Sequence, residues 1–332
     1  MSKVRLADIA KMANVSKTTV SMVLNDKNIN VSEETRKNIK RIAEELNYIP
    51  DTVARSLSTK KTNILGIINP DIENPFFSEM VKAIEKKAEY YKYSIILCNS
   101  YNDYKKEEKY LKLLISKRVD GVIVLSGGKG STAIDTLKKN KIPFVVVDRY
   151  IESEESYSGV FCDNDKGIDI GVRYLFDKGK RNIAFIRGEE ELTAANLRYN
   201  AFEKTAKDLG IFNKNLVEEE SFTIEGGKNS TQKLMEKKEK VDAIFYSSDV
   251  MALGGMKYLI RNGYKVPEDI SVLGYDNINI ASLIEPELTT IAQPIYEMGK
   301  KACELLIEMI DEQKEEKIIY LDPKLVERST VL

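Results

Sequence analysis

Lys17, Thr18 and Met22 have the types and spacing to touch the edges of DNA bases. On a helix Thr18 and Met22 stand one turn apart on one face, with Lys17 beside them. A lysine ammonium can donate to guanine O6 and N7, and the methyls of Thr18 and Met22 can meet thymine. Ser16, Ser21 and Asn25 suit phosphate oxygens, which position a protein on a duplex without reading its sequence. A second set is spread further along: Asp148-Arg149, Arg198, Asp276 and several phenylalanines. Arginine and aspartate present planar forks that match the vicinal hydroxyls of a sugar. Aromatic rings pack a sugar's C–H faces. The chain has no histidine, which removes histidine bases, Ser-His-Asp and Cys-His catalysis, histidine-ligated zinc and histidine pH switching.

The first set needs a small rigid frame. Leu6, Ile9, Ala10 and Ala13 recur at helical intervals. Asn14 tolerates the left-handed backbone of a tight turn, and Val15 can plug it. Ser16 can accept a free N–H of the next helix. Over Lys17 to Leu24, Val20, Val23 and Leu24 turn inward, leaving Lys17, Thr18, Ser21 and Met22 outward. Asn25-Asp26 ends that helix, and Ser32 caps a third with the stripe Ile39, Ile42, Ala43 and Leu46. This is a helix-turn-helix, whose second helix enters the major groove with its N-terminal residues on the bases. A three-helix protein-binding module is the competing reading, and the polar, charged outer face speaks for nucleic acid.

Charge agrees. Residues 1–61 carry twelve Lys+Arg and seven Asp+Glu, a net of +5, and the remainder carries −6. A basic head therefore hides in a chain of net −1, and counterion release from DNA needs only the head. With 332 residues, 42% of them hydrophobic, the chain is long enough for two or three domains. No apolar run reaches the ~18 residues of a membrane helix. No signal peptide is expected, because the sequence runs straight into the first motif. Cys98, Cys162 and Cys303 are scattered without a C-x-x-C pair. No membrane partner and a cytoplasmic location are expected.

From Asn63 the pattern becomes strand-helix alternation. "NILGIIN", "YSIILCNS", "VDGVIVL", "IPFVVVD" and "YSGVFCD" read as strands separated by helices. A second round follows through "NIAFIRG", "VEEESF", "VDAIFYSS" and "DISVLGYD", then the crossing segment "LTTIAQP", a helix over Met298 to Asp311, and "KIIYLDPKLVERST". Two such rounds predict two lobes, each a mostly parallel sheet covered on both faces. Ligands in such sheets bind beyond the strand C-termini. Asp71 to Phe77, Asp148-Arg149, Phe161, Phe222, Ser248-Asp249 and Asp276 all lie at strand ends, and Arg198 opens a helix. By composition this is a binding cleft.

"LADIAKMANVSKTTVSMVLN" and "VSEETRKNIKRIAEELNYIPDTVARSLS" resemble the headpiece of the LacI/GalR (lactose repressor) family of bacterial transcription regulators. "NPFFSEM", "LLISKRVDGVIVL", "NLRYNAF", "SSDVMALGGM", "VPEDISVLGYDN" and "PELTTIAQP" are similar to its effector-binding core. The resemblance implies an all-α headpiece plus an α/β two-lobed periplasmic-binding-protein-like core with parallel sheets and three crossovers. It implies a headpiece at 1–49, a hinge helix and linker at 50–62, an N-terminal lobe of 63–161 with 292–320, and a C-terminal lobe of 162–291 with 321–332. It further implies that Val53, Ala54, Arg55 and Leu57 form the hinge, with Leu57 wedged into the minor groove, a known way to kink a duplex. A helix this short is marginal alone, below the ~12 residues an isolated helix needs. In the cleft, Arg198 and Asp276 would clamp effector hydroxyls, Asp148, Ser248 and Gln293 would assist, and Phe76, Phe77, Phe161 and Phe222 would line the pocket. Two positions depart from the family. Met22 stands where arginine or histidine is common and cannot make a bidentate guanine contact, so the operator half-site should differ. Ser248 stands where asparagine is usual. The expected protein is a homodimeric, carbohydrate-responsive DNA-binding regulator, a repressor of palindromic operators, with no catalytic residue, cofactor or metal.

Two other classes compete. Gly128 to Ala133 fits G-x-G-x-x-A between a strand and a helix, with Asp148 twenty residues on, as in a nicotinamide enzyme. It sits on the third strand of its lobe and lacks a catalytic partner. A sugar-binding transport protein would suit the two lobes but would need an export signal in place of residues 1–60.

Overall fold

The computed structural model describes residues 4–26, 28–49, 61–126, 131–151, 156–312 and 316–332. The expectations for Val53, Ala54, Arg55 and Leu57, and for Gly128, Lys129 and Gly130, fall outside those residues. By its internal packing the chain divides into Met1–Thr62 and Asn63–Leu332.

The first unit holds α1 (Leu6–Met12), α2 (Lys17–Leu24) and α3 (Glu33–Glu45). Asn14 adopts φ 52°, the left-handed conformation that lets the chain reverse between α1 and α2. Val15 then donates its N–H to the Ala10 carbonyl at 3.0 Å. Ser16 Oγ accepts the Thr19 N–H at 3.0 Å and Ser32 Oγ accepts that of Thr35 at 3.2 Å, so both N-termini are capped by side chains. Ile9, Val20, Val23, Ile39 and Ile42 form the buried centre, with Leu6, Val15, Leu46 and Tyr48 around it.

The second unit contains two sheets. The first joins β1 (Ile64–Asn69), β2 (Ser94–Asn99), β3 (Gly121–Val124), β4 (Phe144–Val147), β5 (Ser158–Cys162) and β11 (Ile318–Leu321) in the order β11-β5-β4-β3-β1-β2, every pair parallel. Its helices are α4 (Pro75–Tyr90), α5 (Tyr104–Ser116), α6 (Ala133–Lys139) and the late α11 (Ile295–Glu312). The second joins β6 (Ile183–Arg187), β7 (Val217–Glu219), β8 (Ala243–Tyr246), β9 (Ser271–Asp276), β10 (Thr289–Ala292) and β12 (Lys324–Val326) in the order β12-β10-β9-β8-β6-β7. Its helices are α7 (Asn164–Asp177), α8 (Thr193–Asp208), α9 (Ile224–Met235) and α10 (Asp249–Arg261).

The chain passes between sheets after β5, after β10 and after β11, three crossings in all. The last explains the one antiparallel pair, β10 with β12. β11 runs parallel with its sheet and so leaves at the strands' C-terminal edge. It enters the second lobe from the C-terminal edge of those strands and must run against them. Two close helix approaches require glycine. A Cβ on Gly299 of α11 would lie 2.8 Å from the Met80 carbonyl oxygen of α4. A Cβ on Gly254 of α10 would lie 1.9 Å from the Ile224 oxygen of α9. Among the described residues no helix is long and apolar enough to cross a membrane.

Candidate functional site

Both sheets end in aspartates at special backbone positions. Asp148 follows β4 with φ 65°, and Asp276 closes β9 with φ 124°, followed by Asn277 at 60°. Non-glycine residues rarely hold such angles, at a cost of ~1–3 kcal/mol each, and they cluster at functional sites. Here they swing two carboxylates off the strand ends toward Arg198 of α8. Arg198 Nη2 lies 3.9 Å from Asp148 Oδ1, and its Nη1 lies 3.8 Å from Asp276 Oδ1. All three are buried.

Arg198 is held from behind. Its Nε donates to Asn164 Oδ1 at 2.8 Å, its Nη1 donates to the Ser247 carbonyl at 2.7 Å, and its guanidinium lies 4.2 Å over the Tyr275 ring. The distances to both carboxylates exceed a hydrogen bond. Each carboxylate therefore keeps acceptor capacity for a third party. Gln293 Nε2 donates to Asp276 Oδ1 at 2.8 Å, while its Oε1 has no partner among the described residues. The Gln293 amide also favours the charged form of Asp148.

Burial pushes the Asp148 carboxyl above its ordinary range, against the pull of Arg198 and Arg149. Burial pushes Asp276 well above it, again opposed by Arg198. For Arg198, burial works against the charge, but Tyr275, Asp276 and Asp148 outweigh it and its pKa ends raised. Two guanidinium groups and two carboxyl groups thus share one buried site. A ligand there needs no net charge; it needs paired donors and acceptors, as a polyol supplies.

The cavity in front of these groups is lined by Asn74, Phe76, Phe77, Asp148, Arg149, Ala194, Arg198, Phe222, Ser248 and Asp276. Phe76 and Phe77 meet edge to face with centroids 5.0 Å apart, and the Arg149 guanidinium lies 5.0 Å over Phe77 while donating to Asn102 Oδ1. Asn74 caps α4 through Phe76 N–H at 3.0 Å, and Ser248 caps α10 through Met251 N–H at 3.4 Å. The structure thus brings together Phe76, Phe77, Asp148, Arg198, Phe222, Ser248 and Asp276, with Gln293 behind Asp276.

Phe161 is a correction. Its ring is fully buried, stacked on Tyr150 at 4.0 Å, and absent from the cavity lining. Strand side chains alternate faces. Val160 and Cys162 face the packing that includes Phe76 and Phe77, so Phe161 turns to the opposite side, among Val122, Phe144 and Val146. Ala194 was not singled out from the sequence, and Asn74 was covered only as part of the Asp71 to Phe77 stretch. Asn74 had a signal, since asparagine before a proline-led helix marks an N-cap at a strand end.

On the first unit, Lys17 and Thr18 are exposed at the start of α2, and Met22 one turn on is half-buried. Ser16 is exposed with its Oγ engaged as the cap, and it also pairs with Thr19 Oγ1 at 2.8 Å. Ser21 is half-buried, and its carbonyl accepts one N–H of Asn25 Nδ2 at 2.7 Å, which leaves Asn25 its Oδ1 and a second amide hydrogen for outward chemistry. Of the glycine-rich stretch, Ser131 is engaged with Glu107, and Asp148 is engaged with Arg198.

Residues 5–51 match the model for bacterial regulatory proteins of the lacI family, and residues 172–331 match that of a periplasmic binding protein-like domain. The chain is 38% identical over 326 residues to the ribose operon repressor of Halalkalibacterium halodurans, covering 98% of this chain and 96% of the relative. It is similar to the lac repressor dimer bound to operator and the anti-inducer ONPF, with TM-score 0.89, 27% identity, and full coverage of both chains. It is also similar to a LacI family transcriptional regulator from Enterococcus faecium with bound ribose, with TM-score 0.74 and 32% identity over 81% of this chain and 98% of that one.

Proposed function

Because the chain belongs to the lacI family of bacterial regulatory proteins, we propose that it is a dimeric repressor whose grip on operator DNA is governed by a pentose, D-ribose or a near relative. Lys17, Thr18 and Met22 read each half-site, and dimer symmetry sets the half-site spacing. The protein works in the cytoplasm and catalyses no reaction. The observation that carries the reading is the buried clamp of Asp148, Arg198 and Asp276, with acceptor capacity left on both carboxylates and on Gln293 Oε1. Vicinal hydroxyls donate to such carboxylates and accept from guanidinium. Phe76, Phe77 and Phe222 supply apolar walls for ring C–H groups. The ribose operon repressor and the ribose-bound relative point to the same class.

An operator duplex selected from a randomised pool, titrated with the protein by fluorescence anisotropy with and without D-ribose, tests this directly. The expected result is a shift in operator affinity at ribose concentrations that saturate the cleft. No selected duplex, or an operator affinity that D-ribose leaves unchanged, overturns it.

A further inference from the structure

The aspartate of the clamp is tied by a few residues of backbone to a contact on the opposite side of the cleft. Asp276 closes β9, and Asn277, Ile278 and Asn279 follow. This segment is pinned from within its own lobe. Asp249 accepts the Ile278 N–H at 2.9 Å and the Thr290 hydroxyl at 2.6 Å. Arg328 donates to Asn277 Oδ1 at 2.6 Å and to the Leu288 carbonyl at 2.7 Å. The Asp249 carboxylate is wedged against β9, since a Cβ on Gly274 would lie 2.1 Å from its Oδ1. With two consecutive residues at positive φ, the turn is held in one conformation by these bonds. A displacement of Asp276 is therefore a displacement of Asn279.

Asn279 donates its backbone N–H to Glu79 Oε1 at 2.9 Å. Glu79 is on α4, in the other lobe, and half-buried. It does not line the cavity, but α4 carries Phe76 and Phe77, which do. One helix thus bears both a wall of the sugar site and the acceptor of a cross-cleft bond. When the lobes part, the carboxylate and the N–H return to water. When they close, they pair in a partly dried setting. The bond therefore favours the closed state selectively, and a ligand that binds only that state gains affinity from it.

We infer that Glu79 is a positioning residue that latches the two lobes, and that residues 276–279 are the rigid link between sugar capture at Asp276 and that latch. The inference rests on reading the cleft as the effector site. Asn279→Pro deletes the donor without straining the chain. Ile278 before it is already extended (φ −64°, ψ 152°), as a residue preceding proline must be, and Asn279 opens a 3-10 turn. D-ribose binding to the full-length wild type, Glu79→Ala, Glu79→Gln, Asn279→Pro and the double variant Glu79→Ala/Asn279→Pro is measured by calorimetry. Loss of a hydrogen bond to a charged group should make Glu79→Ala and Asn279→Pro each about tenfold weaker. Glu79→Gln keeps an acceptor oxygen and should stay within roughly threefold of wild type. The double variant should be no weaker than either single one, because both remove the same bond. Wild-type affinity in Glu79→Ala, or fully additive losses in the double variant, overturns the latch alone. Absence of ribose binding by the wild type overturns the effector reading and the latch with it.

Discussion

Asp276→Asn separates binding from folding at the cleft. The substitution keeps the side chain's shape and one acceptor oxygen. In the wild type Oδ1 already takes the Gln293 N–H at 2.8 Å and faces Arg198 at 3.8 Å. The asparagine oxygen can keep the Gln293 bond, so the loss falls on the other oxygen, which becomes an NH₂ donor where a sugar hydroxyl should donate. One charge-assisted bond contributes ~1.5–3 kcal/mol. At 1.4 kcal/mol per decade, ribose affinity should fall about 10- to 150-fold. Asp276→Ala also strands the Gln293 amide and one flank of Arg198, so its loss should exceed a thousandfold, about 4 kcal/mol or more. Folding should move the other way. Burial holds the Asp276 carboxyl well above its usual pKa, so its charged form is disfavoured in the folded state. The Asn variant should melt at the same or a higher temperature near neutral pH and bind operator normally without sugar. Calorimetric titration with D-ribose beside a thermal melt decides it. A folded Asn variant with ribose affinity within threefold of wild type would refute the clamp.

The other predictions concern stability and DNA. Burial raises Asp249 to about 6 from 3.8, with Thr290 and Ile278 opposing, and Asp148 and Asp276 are raised too. Groups raised in the fold contribute stability that is complete below their unfolded pKa and lost as pH climbs through the folded one. For Asp249 the window is about pH 4 to 6, and a shift of about two units corresponds to ~3 kcal/mol. Urea unfolding should therefore show lower stability at about pH 7 than at about pH 5, with a flatter slope in Asp249→Asn; an upward slope in wild type contradicts the assignment. Gly254→Ala should destabilise by about 3 kcal/mol, because its Cβ would meet the Ile224 oxygen at 1.9 Å and force α9 from α10; an unchanged Tm would show that the helices give way freely. Raising salt from about 50 to about 200 mM should weaken operator binding by about a thousandfold, and a flat response would argue against phosphate contacts by the basic head.

Local rules made much of this molecule legible as a string of letters. Asn14 announced a left-handed turn, Ser16 and Ser32 announced caps, and the two rounds of apolar strands announced paired parallel sheets. These features depend on residues a few positions apart, so chemistry and spacing suffice. The clamp was legible in part, because Asp148 and Asp276 follow strands and strand ends are where such sheets bind ligands. Packing between distant segments decided the rest. Phe161 belongs to the core because the register of β5 sends it to the opposite face from Val160 and Cys162, and a one-residue difference in a period of two cannot be judged from one strand alone. β12 runs antiparallel because the chain re-enters the second lobe from the cleft side. Glu79 meets Asn279 across 200 positions of sequence. No local propensity encodes that meeting, which depends on how the two lobes pack to bring a carboxylate and a backbone N–H to hydrogen-bonding distance.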